Sequence, residues 1–149
     1  MAGMKQIQAA QVLLLRTASA EADKAAQDLR DLGMVHVAVV TSVLELAVRI
    51  AGGKVNVVVV YEQDTAAAVL RGEDGLVQAP PDARTASIPC LLLTPEAGRR
   101  TTQAAQAAGF AAALPDTAPA RVIYRRVGAL MQRVRRLGRE RDAAQRAAA

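Results

Sequence analysis

The sequence is poor in the residues on which many binding and catalytic sites depend. Its 149 residues include one Phe, two Tyr, no Trp, one Cys and one His. So few aromatic rings offer little surface on which bases or sugars can stack, which argues against single-stranded nucleic-acid or carbohydrate recognition by stacking. A single cysteine excludes an internal disulfide and a cysteine-based metal centre, and a single histidine excludes a histidine-based one. We therefore predict no metal and no cofactor.

The catalytic groupings that depend on these residues are also lacking. Cys90 lies in an apolar run and is predicted to be a small buried side chain, and His36 lies in a predicted strand. The Gly52-Gly53 pair ends a predicted helix instead of opening one, so it does not form a phosphate-binding loop. We predict that the chain is not an enzyme.

Long hydrophobic runs are absent as well. No run approaches the roughly 20 apolar residues that a membrane span needs, and residues 1–11 have no apolar core of the kind found in signal peptides. The sequence therefore predicts a cytoplasmic protein without a membrane span.

The charge is divided unevenly along the chain. Residues 121–149 contain nine Arg and two acidic residues, a balance of +7, whereas residues 1–120 have a balance of −2. A nearly neutral domain is thus followed by a strongly basic segment, and the two need separate explanations.

Short apolar runs alternate with segments of helical periodicity. The runs predict strands at residues 12–15, 35–40, 55–60, 90–93 and 110–114. Helices are predicted after Ser19 and Ser42, at 66–70, at 96–108 and from about Pro119 onward, with an irregular loop at 72–87. This order predicts an α/β fold, a five-stranded parallel sheet that is doubly wound, and such sheets bind ligands at the carboxyl ends of their strands.

Two of these segments resemble a known family. Residues 88–94, IPCLLLT, resemble the fourth strand of response-regulator receiver domains (CheY-like), which ends in a signalling Thr, here Thr94. Residues 107–114, AAGFAAAL, resemble the turn into the fifth strand of that family. The similarity extends across roughly residues 10–137 and implies a flavodoxin-like, receiver-type fold. The residues after that region predict that the basic C-terminal helix extends beyond the normal end of such a domain.

The same resemblance implies that the chemistry of the family is missing. Receiver domains have metal-binding acids after the first strand, where this chain has Arg16 and Thr17. The phosphate-accepting Asp corresponds to Tyr61, and the Lys after the fifth strand corresponds to Asp116. Neither Arg16 nor Tyr61 supplies the carboxylate that a magnesium ion and a phosphoryl acceptor require. We predict a degenerate pseudo-receiver without a phosphorylation site.

Three further expectations concern this end of the sheet. We expect the Tyr61 ring to pack into the space left by the missing site while its hydroxyl reaches water. Glu62 or Asp64 is the alternative acceptor, in a receiver that autophosphorylates. Arg16 and Asp116 are expected to form an ion pair across the tips of the strands.

The final helix has an apolar stripe with two interpretations. Its spacing of 4, 3, 4 and 3 residues is that of helix pairing, and it predicts a homodimer seam. The same stripe is also what a last helix needs in order to pack on its own sheet. The residues of this predicted dimer seam are Ile123, Val127, Leu130, Val134 and Leu137.

Arginines occupy the remaining faces of that helix. They form either a solvated surface or a site for an anionic partner, because guanidinium groups bind phosphate and carboxylate groups through paired hydrogen bonds. The candidate residues are Arg125, Arg126, Arg133, Arg135, Arg136 and Arg139.

Together these observations predict two regions and one function. Residues 1–138 form the pseudo-receiver domain, and residues 139–149 form a basic helical extension or tail. The predicted function is phosphorylation-independent protein–protein interaction in bacterial signalling or localisation. The alternative is binding of a cyclic dinucleotide or nucleic acid through the Arg-rich helix.

Overall fold

A computed structural model describes residues 8–148 as a central sheet with helices on both faces. The strands are β1 (Gln11–Leu15), β2 (His36–Val40), β3 (Val57–Tyr61), β4 (Cys90–Thr94) and β5 (Ala112–Pro115). All neighbouring strands are parallel, in the order β2-β1-β3-β4-β5. The predicted five-stranded parallel sheet is confirmed.

Between the strands of the described region lie four α-helices and one 3-10 helix, and a further α-helix follows β5. The α-helices are α1 (Ala20–Asp31), α2 (Val43–Ala51), α3 (Pro81–Thr85), α4 (Arg99–Ala107) and α5 (Ala120–Ala148). The segment predicted as a short helix at 66–70 is a 3-10 helix, Thr65–Leu70. None of the described helices has the length and apolarity needed to cross a membrane.

Local capping explains where the first helices begin. The Ser19 hydroxyl accepts a hydrogen bond from the Ala22 amide, and the Ser42 hydroxyl accepts one from the Glu45 amide, both at 3.0 Å. Each bond satisfies an amide that would otherwise lack a partner in the first turn. After α1, Gly33 has a φ of +110°, the left-handed conformation that favours glycine. The predicted starts of these two helices are therefore correct.

Alternation along the strands builds two separate cores. Val12, Leu14 and Val59 face one side, where they join residues of α1 and α5 in a buried cluster. Leu13 and Val58 face the other side, where they join residues of α2, α3 and α4. Successive strand residues point to opposite faces, so strands this apolar are stable only when helices cover both.

Two expectations about the elements need correction. The stretch 72–87, expected to be an irregular loop, contains α3, because the Pro80-Pro81 pair places proline at the first helical position. Helix α4 begins at Arg99 and not at residue 96, and Gly98 is its N-cap. Helix α5 continues through Gly138 to Ala148, so the extension predicted at 139–149 belongs to the same helix.

Candidate functional site

A small cavity lies at the carboxyl edge of the sheet. It has a volume of about 280 Å³ and is called the carboxyl-edge cavity below. Residues that follow β1, β3 and β5 meet here, as the parallel topology requires. The cavity is lined by Arg16, Tyr61, Glu62, Gln63, Asp64, Leu93 and Asp116. The structure thus brings Arg16, Tyr61 and Asp116 together, as the sequence predicted.

Asp64 organises the loop after β3. Its Oδ1 atom accepts hydrogen bonds from the Thr17 amide at 2.8 Å, the Thr17 hydroxyl at 2.7 Å and the Ala66 amide at 2.9 Å. The Thr17 hydroxyl also lies 2.7 Å from the hydroxyl of Thr65. Asp64 is therefore the N-cap of the 3-10 helix and at the same time a tie to the end of β1.

Arg16 lies over the ring of Tyr61. Its guanidinium carbon is 4.3 Å from the ring centroid, the arrangement of a cation–π contact. Its Nε atom is 4.0 Å from Oδ2 of Asp64, and it has no hydrogen-bond partner within the described part of the chain. The expected ion pair between Arg16 and Asp116 is wrong, because the cap geometry of Asp64 places its carboxylate nearer to the guanidinium.

These contacts set the charge state of the cavity. Burial raises the pKa of the Tyr61 phenol, and the nearby Arg16 only partly opposes this, so the phenol stays neutral at neutral pH. Burial alone would raise the pKa of the Asp64 carboxyl. The hydrogen bonds from Ala66 and Thr17, together with Arg16, outweigh burial and lower it, so the carboxylate stays charged.

Thr94 is held by the other acid of this edge. It is 2% exposed, and its hydroxyl donates a hydrogen bond to the Glu62 carboxylate. The Glu62 amide in turn donates to the carbonyl of Leu93 at 2.9 Å. The side chain of Glu62 is thereby directed toward the end of β4. Both acids that the sequence offered as alternative phosphoacceptors, Glu62 and Asp64, are hydrogen-bonded.

The only cysteine and the only histidine of the sequence differ in their exposure. Cys90 is buried, as predicted, and burial raises the pKa of its thiol to about 12, so it is not a reactive thiolate. His36 opens β2 at an exposed position. Across residues 8–148, no group of three or more His, Cys, Asp or Glu side chains is placed to hold a metal ion.

Helix α5 divides the predicted dimer seam into two parts. Ile123, Val127 and Leu130 are buried against the sheet of their own chain, whereas Val134 and Leu137 are 43% and 46% exposed. Three of the five residues are therefore core residues and are not free to pair with another helix. The candidate arginines, Arg125, Arg126, Arg133, Arg135, Arg136 and Arg139, are all exposed.

Sequence reasoning missed the central residue of the carboxyl edge. Asp64 was considered only as an alternative phosphoacceptor, although an Asp-Thr pair directly before a short helical segment is a capping signal. Applying that signal to Asp64 and Thr65 would have placed its carboxylate over the first turn and toward the neighbouring strand end.

Comparison with solved structures gives the same architecture. The receiver domain of a Francisella response regulator superposes with a TM-score of 0.63 at 16% identity, covering 83% of this chain and 97% of that one. The chain has the fold of a receiver domain. The signal receiver domain of a histidine kinase from Syntrophus aciditrophicus superposes with a TM-score of 0.62 at 20% identity, covering 86% and 94%.

A third similar structure has a different description. It is a Burkholderia pseudomallei protein provisionally described as related to pilus assembly, with a TM-score of 0.60, 18% identity and coverage of 83% and 92%. Neither a protein-family model nor a curated protein sequence matches the chain. The likeness to receiver domains is therefore one of fold.

Proposed function

We propose that the chain is a pseudo-receiver that acts without phosphorylation as a protein–protein interaction module in bacterial signalling or localisation. The observation that carries the proposal is the stack of Arg16 on Tyr61, at 4.3 Å, where the receiver resemblance expects metal-binding acids and a phosphoacceptor. A guanidinium at this place repels a divalent cation, and a neutral phenol is a poor acceptor of a phosphoryl group.

The contacts of Thr94 support the same proposal. The resemblance makes Thr94 the residue that signals phosphorylation in receiver domains. Here its hydroxyl donates a hydrogen bond to the side chain of Glu62, a residue of the same chain. The residue that would report a phosphoryl group is thus already paired with an acidic side chain of the same chain. We infer that the receiver fold is held in one state and that binding, not chemistry, is what the chain contributes.

The contacts of the alternative acceptors count against a phosphorylated receiver. Asp64 Oδ1 accepts three hydrogen bonds, and Arg16 stands beside Oδ2. A phosphoryl transfer to Asp64 or to Glu62 would add bulk and charge to a carboxylate that is already engaged in these contacts or, for Glu62, in its bond to Thr94.

The proposal is tested by incubation with acetyl phosphate and Mg²⁺ followed by intact mass measurement. We expect no phosphate to be added to the wild-type chain. The Tyr61→Asp variant should also remain unmodified, because Arg16 still repels the metal. Addition of phosphate to wild type, localised to Glu62 or Asp64, would contradict the proposal. Mg²⁺ with beryllofluoride should likewise leave the melting temperature unchanged.

The arginines of α5 support a second candidate function. Within residues 8–148 none of the six candidate arginines forms an ion pair, so their guanidinium groups are open to an anionic ligand such as a cyclic dinucleotide or nucleic acid. Such binding would weaken steeply with salt. Replacing Arg133, Arg135, Arg136 and Arg139 by Ala should abolish this binding with little change in melting temperature. An affinity that does not change with salt concentration would contradict this second function.

A further inference from the structure

A larger groove lies at the opposite, amino-terminal edge of the sheet. It has a volume of about 600 Å³ and is called the basic groove below. Ile88, just before β4, and Phe110, just before β5, form part of its wall, and Arg133, Val134 and Leu137 of α5 form the other side. Because α5 leaves the core after Leu130, the groove lies where the helix begins to extend past the domain.

The walls of the groove are aliphatic where the ligand would lie. Val134 and Leu137 are one turn apart on α5 and remain 43% and 46% exposed. Phe110 is only 3% exposed, so its ring offers no face for stacking. A groove of this size falls within the range of about 300–1,000 Å³ that is typical of ligand pockets, which are mostly apolar with a few polar groups that orient the ligand.

Two arginines supply the charge. Arg84 of α3 and Arg133 of α5 line the groove from different elements, and no Asp or Glu is among its lining residues. Within the described part of the chain neither guanidinium forms an ion pair or a side-chain hydrogen bond. Two unpaired positive charges next to exposed aliphatic side chains favour a ligand that is both acidic and apolar.

The side chain of Arg84 lies close to the backbone of Gly109. The φ of Gly109 is +96°, and a Cβ added there would lie 2.9 Å from Nε of Arg84 and 3.2 Å from its Cδ. The side chain of Arg84 therefore passes directly over the backbone of Gly109, in a space that any other residue would fill.

We propose that the basic groove binds an acidic amphipathic segment of a partner protein, whose aliphatic side chains contact Val134 and Leu137 and whose carboxylates pair with Arg84 and Arg133. This inference rests on the proposed role as an interaction module and names the chemistry of its partner. Charge decides the occupant: the exposed part of α5 is itself basic, so a second copy of the chain would be repelled. A nucleic acid could pair its phosphates with the guanidinium groups, but its bases would meet an aliphatic wall and no exposed ring on which to stack.

The test uses the intact chain and a synthetic probe. The probe is a fluorescent peptide of about 15 residues with leucines at helical spacing on one face and glutamates elsewhere. A second peptide of the same composition has its leucines spread around the helix, which keeps the charge and removes the apolar face. Fluorescence anisotropy measures the affinity of both peptides, and we expect the amphipathic one to bind at least about tenfold more tightly.

Variants of the chain locate the binding. We expect Arg84→Glu with Arg133→Glu to weaken the peptide at least about tenfold, because close charge pairs become repulsive. Val134→Ser with Leu137→Ser should weaken it without loss of the salt dependence. Arg99→Glu with Arg100→Glu is the matched control, since these exposed arginines lie on α4 outside the groove, and it should have little effect. Circular dichroism confirms that each variant is folded.

Several outcomes would overturn the inference. They are equal binding of the two peptides, equal loss in the groove and control variants, or tighter binding of a duplex DNA than of the amphipathic peptide. A dimer in light scattering that the groove variants abolish would also overturn it, by assigning the groove to a second copy. The acetyl phosphate assay is independent of the groove: phosphorylation would refute the pseudo-receiver, whereas failure of the peptide alone refutes only this inference.

Discussion

At the scale of single residues, Asp64 is the side chain on which the carboxyl edge depends. One of its oxygens joins the end of β1, through Thr17, to the first turn of the 3-10 helix, through Ala66. The other oxygen stands beside Arg16, which in turn lies over Tyr61. Its loss therefore disturbs the whole arrangement that replaces the receiver chemistry.

The first prediction is that Asp64→Ala lowers the free energy of unfolding by about 1–2 kcal/mol, the cost of a lost N-cap and an unsatisfied amide. Urea denaturation measures it. The control is Asp28→Ala, which removes an ion pair with Lys24 at 2.8 Å. Because this pair is exposed to water, its loss should have a much smaller effect than the loss of Asp64. Equal losses in the two variants would show that Asp64 is no more than a surface acid.

The second prediction is the pH dependence of that difference. The pKa of Asp64 is lowered from its usual 3.8 in the folded chain, so the carboxylate stabilises the fold above that value. The contribution is lost as the pH falls through the lowered pKa. The stability gap between wild type and Asp64→Ala should therefore be constant from neutral pH down to about pH 5 and should shrink below about pH 4. A gap that grows on acidification would contradict it.

The sequence predicted which residues meet at the carboxyl edge but not which of them pair. Parallel strands bring their ends together whatever the side chains are, so Arg16, Tyr61 and Asp116 could be placed from the order of elements alone. The partner of Arg16 depends on how the chain turns after β3, and that turn is set by the bonds of Asp64 itself. The order of the strands does not show how this turn folds, and therefore it could not show that Arg16 lies beside Asp64.

At the scale of elements, α5 consists of two physically different halves. Ile123, Val127 and Leu130 are buried, whereas nearly every described residue of the helix from 132 onward is exposed. A periodic apolar stripe was visible in the sequence, but its period is the same whether the stripe packs on the sheet or on another helix. Only the position where α5 leaves the sheet separates the two uses.

The third prediction compares the two halves of the stripe. Leu130→Ala should lower the free energy of unfolding by about 2–4 kcal/mol, because it leaves a cavity in the core. Leu137→Ala should change it by no more than about 0.5 kcal/mol, since that side chain is 46% exposed. Both values come from urea denaturation. Comparable losses in the two variants would mean that the stripe packs along its whole length.

The fourth prediction concerns Gly138, in the exposed half of α5. Nothing lies within 4 Å of a Cβ added there. Gly138→Ala should therefore favour the helical state locally by about 0.5–1 kcal/mol, the difference in helix propensity. We expect more helical circular dichroism signal and an unchanged urea midpoint, because the overhanging half unfolds separately from the core. A shifted midpoint would show that the two halves unfold together.

At the scale of the whole molecule, the fold could be predicted from the sequence because the local patterns of apolar residues and helix caps all agreed with it. Apolar runs alternated with helical patterns, and caps at Ser19 and Ser42 marked where the helices start. What composition could not show was how the basic segment relates to the domain. In the structure it is the continuation of α5, so the +7 balance of residues 121–149 is carried on a helix that begins in the core.

The division of charge bears directly on self-association. The sequence predicted a homodimer through five apolar residues, but three of them are buried in their own chain, and only Val134 and Leu137 remain exposed. Two exposed side chains fall short of the three or four heptads that make a paired helix convincing. Two such helices side by side would also bring like charges together, at a cost that salt screens over about 10 Å at 0.1 M.

The fifth prediction is therefore that the intact chain is monomeric at tens of micromolar and about 0.1 M salt, where like charges on the overhangs still repel. Light scattering measures the mass. A chain ending at Gly138 removes three of the nine arginines of the basic segment, together with its two acids, and keeps Val134 and Leu137. It should have the same monomeric state. A dimer of the intact chain that this truncation dissociates would contradict the prediction and would show that residues 139–149 drive pairing. A second copy of the chain would then compete with the proposed acidic partner.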